Sequence, residues 1–169
     1  MTTYFITGGY GFLGQYIVKA IHEHEPEAEL RVLVRTERKT FLGIESLERV
    51  RWVHGDLRQP ETYAEHLRGV DAVIHNAAMV SFRKSEAEAI IDSNVVGTRE
   101  LAQAARAAGC RNFIFVSSIS AVDWNPPHLS NETMLPDLET KRQADAYGYS
   151  KLVSESELKQ MTDTMRVVI

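Results

Sequence analysis

Short apolar runs alternating with helical patterns most constrain what this chain can become. Strand-like runs fall at Tyr4–Thr7, Leu30–Val34, Arg51–His54, Ala72–His75, Asn112–Val116 and Met165–Ile169. Between most of them apolar residues recur at helical spacing. Leu13, Ile17 and Ile21 stand four apart. Ile90, Ile91, Val95, Leu101 and Ala105 give an apolar side to a predicted helix over Glu86 to Ala108, with Gly109 as its stop. Leu152, Val153 and Leu158 mark another from Ala144 to Gln160. Strands alternating with helices form βαβ units with right-handed crossovers, and successive units build a parallel sheet covered on both faces. The unbroken hydrophobicity of "NFIFV" suits a strand buried on both sides. The expected class is α/β, with a single domain over residues 1–169. The stretch from Ala121 to Gln143 holds three prolines and no clear period, so it is predicted to be a long surface loop.

Composition narrows the function classes. A chain of 169 residues with 44% apolar and 25% charged side chains can bury a real core. Its net charge of −4 gives no reason to expect nucleic acid or an acidic membrane surface as partner. The single cysteine, Cys110, excludes an internal disulfide and is too little for a zinc site. His22 and His24 point to different helix faces, and the six histidines form no convincing metal cluster. No apolar run approaches membrane-spanning length. These features lead to the expectation of a soluble cytoplasmic protein without a metal.

The segment "TYFITGGYGFLGQYIVKAI" passes from strand to helix through Gly8, Gly9, Gly11 and Gly14. Gly9, Gly11 and Gly14 satisfy G-x-G-x-x-G, while Gly8, Gly11 and Gly14 satisfy G-x-x-G-x-x-G. Following a strand and opening a helix, either spacing points to a dinucleotide. One glycine permits the tight turn, one lets the backbone approach a pyrophosphate, and one lets the helix pack on the sheet. Helix N–H groups and the positive end of the dipole then face the phosphates. About twenty residues further on, where an acid would read the ribose hydroxyls, "VLVRTERK" presents Arg35, followed by Arg38 and Lys39. A guanidinium there suits a 2′-phosphate through charge-assisted bonds. NADP is therefore preferred, with NAD possible.

"AYGYSKLVSE" sets Tyr147 and Lys151 one helical turn apart on one face. A free tyrosine, with a pKa near ~10, is a poor base at neutral pH. An ammonium on the next turn favours the phenolate and makes Tyr147 a candidate general acid/base for a carbonyl–alcohol pair. "NFIFVSSISAV" carries Ser117, Ser118 and Ser120 beyond the end of a buried strand, where ligands of open α/β sheets bind. One of them could bond a substrate oxygen as charge moves onto it; the others serve the loop backbone.

With these segments in place the chain resembles the extended branch of the short-chain dehydrogenase/reductase family, the NAD-dependent epimerase/dehydratase type. The resemblance rests on "TGGYGFLG" at Thr7–Gly14, "GDL" at Gly55–Leu57, "HNAA" at His75–Ala78, "NVVGT" at Asn94–Thr98, "SSIS" at Ser117–Ser120 and "YGYSK" at Tyr147–Lys151. It implies a Rossmann-type doubly wound parallel sheet in three layers. Thr7, Gly8, Gly11, Phe12, Leu13 and Gly14 would bind the cofactor. Asp56 and Leu57 would contact adenine, and Asn76, Ala77 and Ala78 would line the cofactor. Ser118, Tyr147 and Lys151 would be catalytic, with Tyr147 and Lys151 also touching the nicotinamide half. Asn94 would lie beside them in a mainly structural role, and His75 would be a strand-end packing residue.

The resemblance further implies a homodimer through the helices Glu86–Ala108 and Ala144–Gln160. It also implies a continuation beyond "MRVVI" that carries most of the substrate pocket, so that this chain is expected to be a fragment or to be completed by a partner. Ile119 and Ser120 stand where dehydratases place an Asp–Glu pair, which argues against elimination of water. The function read from all this is an NAD(P)-dependent oxidoreductase domain, nearest to dihydroflavonol reductases and hydroxysteroid dehydrogenases, acting on a small carbonyl or alcohol. A sugar-nucleotide epimerase and a non-catalytic dinucleotide-binding module are its alternatives.

Overall fold

The computed structural model describes residues 1–37, 40–123, 127 and 130–169. Arg38 and Lys39, and residues 124–126 and 128–129 of the predicted loop, lie outside the described residues. Six strands form one parallel sheet: β1 (Thr3–Thr7), β2 (Glu29–Val34), β3 (Val50–His54), β4 (Ala72–His75), β5 (Asn112–Phe115) and β6 (Arg166–Val168). Their order is β3-β2-β1-β4-β5-β6. Chain order reverses between β1 and β4, and the strand ends part there to leave the crevice that binds ligands in such sheets.

Strand alternation splits the core into two layers. Phe5, Val73 and Phe113 share one row across the sheet and join Leu101, Ala105 and Leu158 on one face. Ile6 and Ile74, one residue on, point the other way and join Val18, Val32 and Ile44. Helix α1 (Phe12–His24) covers this second face through Val18. Helices α3 (Gly97–Ala107) and α5 (Ala146–Lys159) cover the first. Burying a large aliphatic or aromatic side chain contributes about 1.5–3 kcal/mol, so these two apolar layers are what hold the sheet ends in place.

Two expectations are corrected. The predicted helix over Glu86–Ala108 is not regular. A 3₁₀ turn (Lys84–Glu86) leads into the short α2 (Ala87–Ile91), and a π-helical turn at Asp92–Val96 separates it from α3. The predicted loop over Ala121–Gln143 runs at its end into α4 (Leu138–Ala144). With one leucine in seven residues α4 has no apolar stripe to reveal it, and its signal is the cap: the Asp137 carboxylate accepts the Thr140 amide at 2.9 Å.

Candidate active site

The turn after β1 is built by close backbone approach. Gly8 has φ +72°, and a Cβ on it would lie 2.8 Å from the Ala77 backbone at the end of β4. Gly14 lets α1 settle against the Gly8 carbonyl, where a Cβ would overlap. Gly9 also lines the cavity, and a Cβ on it would overlap the Val32 side chain of β2. Gly11 caps α1 without a side chain. Among the described residues the first-turn amides of Phe12, Leu13 and Gly14 therefore have neither an intrahelical nor a side-chain acceptor.

A cavity of about 310 Å³ opens at the β1/β4 crevice. Thr7, Gly8 and Gly11 form one wall, Arg35 and Asp56 another, and Asn76–Met79 with Asn94 the third. Leu57 and Ala78 also border it. Phe12, Leu13 and Gly14 do not; they lie just beyond, in the first turn of α1. A Cβ on Gly11 would meet only the Gly8 carbonyl, at 3.1 Å, so a side chain there would otherwise fill cavity space. That bare wall, the donor-rich helix start and the exposed Arg35 fit a dinucleotide diphosphate with a further anionic group.

Asp56 is bound by Arg58, whose Nη2 donates to Oδ2 at 3.0 Å and whose Nε donates to Oδ1 at 3.1 Å. Arg58 holds the Asp56 carboxyl below its usual range, aided by Arg35, and keeps it ionised. His75 is fully buried, with Nδ1 2.7 Å from Thr7 Oγ1 and Nε2 2.8 Å from Thr98 Oγ1. Thr7 Oγ1 also accepts the Ala77 amide at 3.0 Å. Hydroxyls thus fasten the ends of β1 and β4 to each other.

The π turn presents Asn94 to the crevice. Its Oδ1 accepts the Met79 amide at 2.7 Å, while Nδ2 donates to the Met79 carbonyl and to Ser150 Oγ at 3.0 Å. Ser150 in turn donates to the Tyr147 carbonyl at 2.7 Å. This chain of bonds ties the cavity wall to the first turn of α5. The sequence motif "YGYSK" gives Ser150 no role of its own, and Asn94 gains its reach from a helical irregularity that periodicity does not reveal.

Tyr147, Lys151 and Ser118 do not border the 310 Å³ cavity; the Tyr147 turn is joined to its wall through Ser150 and Asn94. Lys151 is buried, its Nζ donating to the Val116 carbonyl at 2.7 Å and standing 4.5 Å from the Phe115 ring centroid. It stands 5.9 Å from the Tyr147 ring centroid. Burial lowers the ammonium pKa to about 8, against the opposing pull of Glu155. Ser118 Oγ accepts the Ser120 amide at 3.2 Å, which leaves its own proton to donate. Ser117 donates to Glu155 and so pins β5's exit to α5. Among the described residues no group of three His, Cys, Asp or Glu side chains could hold a metal ion, and no helix is long and apolar enough to cross a membrane.

The profile of the NAD dependent epimerase/dehydratase family matches residues 4–169. Sterol demethylase protein B of Methylococcus capsulatus is 37% identical over 132 residues, covering 78% of this chain and 39% of that protein. Human 3 beta-hydroxysteroid dehydrogenase type 7 is 35% identical over 130 residues, covering 72% of this chain and 34% of that protein. A short-chain dehydrogenase/reductase superfamily protein from Agrobacterium tumefaciens, solved with bound NAD, superposes with a TM-score of 0.76 at 25% identity, over 99% of this chain and 48% of that one. The chain thus spans between a third and a half of the length of these relatives.

Proposed function

As the chain belongs to the NAD dependent epimerase/dehydratase family, we propose that it is the dinucleotide-binding domain of an oxidoreductase acting on a small carbonyl or alcohol, with NADP the preferred cofactor. The observation that carries this reading is the crevice between β1 and β4, walled by Gly8, Gly11 and Arg35 and tied through Asn94 and Ser150 to the Tyr147 turn. The hydroxysteroid dehydrogenase among its relatives is named for an alcohol oxidation, which supports the carbonyl–alcohol pair.

The nicotinamide, when bound, supplies or accepts the hydride. The first-turn amides of α1 receive the diphosphate, and Arg35 receives the 2′-phosphate. Asp56, kept ionised, accepts from the adenine amino group beside Leu57, while Asn76, Ala77 and Ala78 wall the far side. Lys151 spends one N–H on Val116 and keeps two for ribose hydroxyls. With a pKa about 8 it is mostly protonated at neutral pH, and its charge stands 5.9 Å from the Tyr147 ring centroid. Tyr147 then exchanges the proton with the substrate oxygen while Ser118 donates a hydrogen bond to it. The substrate pocket and a homodimer formed through α2, α3 and α5 belong to the whole protein and are part of the same proposal.

Fluorescence titration of this chain with NADPH and NADH tests the cofactor half. NADPH should bind tighter, and Arg35→Ala should weaken it about tenfold or more, because a hydrogen bond to a charged group contributes about 1.5–3 kcal/mol. NADH binding tenfold tighter than NADPH would overturn the role given to Arg35.

A further inference from the structure

Gln15 is a polar residue on the buried side of α1, only 3% exposed. An amide taken out of water destabilises the fold unless it is bonded, and this one is. Its Nε2 donates to the Tyr10 carbonyl in the glycine turn at 3.1 Å. Its Oε1 accepts the amides of Phe41 at 2.9 Å and Leu42 at 3.2 Å, in the segment that follows β2. Both acceptor positions of the oxygen are used.

Among the described residues no backbone hydrogen bond joins the glycine turn to residues 40–43. Gln15 therefore supplies the polar link between them. A second link runs on the outer side: the Phe41 ring stacks on Phe12 at 5.8 Å and lies 5.9 Å from Tyr16. Phe41 and Leu42 are thus held by Gln15 and this aromatic group. Arg35, six residues before Phe41 and directly after β2, lines the cavity that the glycine turn walls on the other side.

We propose that Gln15 is a specificity-setting positioning residue: by bridging Tyr10 to Phe41 and Leu42 it fixes the distance between the diphosphate wall and the Arg35 wall, and so sets the preference for the 2′-phosphate. The proposal rests on the NADP reading above. A guanidinium bond to phosphate is geometrically exacting, whereas a dinucleotide lacking that phosphate makes no such bond and feels a shift of the segment far less. The two halves of the carboxamide are separable. Gln15→Met removes both links at similar volume. Gln15→Glu keeps acceptors for Phe41 and Leu42 and loses the donation to Tyr10.

The test measures Kd for NADPH and NADH by fluorescence titration on the wild-type chain and both variants, with amide exchange on the free proteins. Gln15→Met should weaken NADPH about tenfold and NADH less than threefold. Gln15→Glu should weaken both in parallel and leave their ratio unchanged. In the free proteins the Phe41 and Leu42 amides should lose protection in Gln15→Met and retain it in Gln15→Glu. If Gln15→Met does not fold, Phe41→Ala loosens the same segment from its exposed side and should lower the NADPH/NADH preference. An unchanged or parallel loss of both affinities in Gln15→Met overturns the specificity role, and unchanged exchange at residues 41 and 42 overturns the coupling. A wild-type chain that prefers NADH defeats the NADP reading instead, with the coupling still decided by exchange.

Discussion

Burial holds the His75 imidazole neutral, lowering its pKa to about 3, with the Lys151 charge adding to the effect. Unfolded, the ring titrates near ~6.5. The folded state therefore requires the unprotonated ring, so the contribution is complete above the unfolded pKa and is lost as pH falls from there towards 3. The slope is about 1.4 kcal/mol per pH unit for one proton. Urea unfolding at pH 5 should give a stability roughly 2 kcal/mol below that at pH 7, and His75→Gln should flatten the difference. Asp56 and Glu29, whose pKa values are lowered by arginines, act at more acid pH and do not confuse that window. An equal slope in wild type and variant would assign the acid sensitivity elsewhere. From sequence, His75 reads as packing at a strand end. Its threonine partners sit 68 and 23 residues away in the chain, a pairing that exists only once β1, β4 and α3 have come together.

At the scale of elements, α5 shows how a helix is aimed. Asp145 caps it by accepting the Gly148 amide at 2.9 Å. A Cβ on Gly148 would overlap both the Asp145 carboxylate and the Ser120 carbonyl. The backbone after β5 cannot retreat as a side chain could, so alanine must push the first turn of α5, and Tyr147 with it, away from Ser118. Alanine gains about 1 kcal/mol in helix propensity, and forced repacking loses about 1–3 kcal/mol. Gly148→Ala should thus lower stability by up to about 2 kcal/mol in thermal or urea melts. A variant more stable than wild type would mean that the contact relaxes freely.

The same elements show what a sequence can reveal. Strands buried on both faces and the glycines that shape the β1–α1 turn are legible, since their residue types are dictated locally. The π turn at Asp92–Val96 is not, because one extra residue in a helical turn leaves the apolar spacing nearly intact while it redirects Asn94. Helix α4 is illegible for the opposite reason: few of its side chains are apolar, and a lone cap carries its signal.

For the whole molecule, stability should grade across the sheet. β1 and β4 are its centre, each hydrogen-bonded on two sides, with Phe5, Ile6, Val73 and Ile74 buried between the two apolar layers. β6 is three residues long, pairs only with β5 among the described strands, and leaves Arg166 and Val168 exposed. Local opening follows buried contacts and paired neighbours. Amide exchange should therefore be slowest in β1 and β4, near the global unfolding limit, and fastest among the strands in β6. The proposed dinucleotide site lies on the rigid centre, whereas Ser118 and Tyr147 hang on β5 and α5, nearer the weak edge. Adding NADPH should deepen protection at the ends of β1 and β4 and leave β6 as it was, since a ligand stabilises only the openings that release it. Protection of β6 equal to that of β1 in the free chain would contradict this gradient, because an edge strand can exchange that slowly only if something else pairs with it.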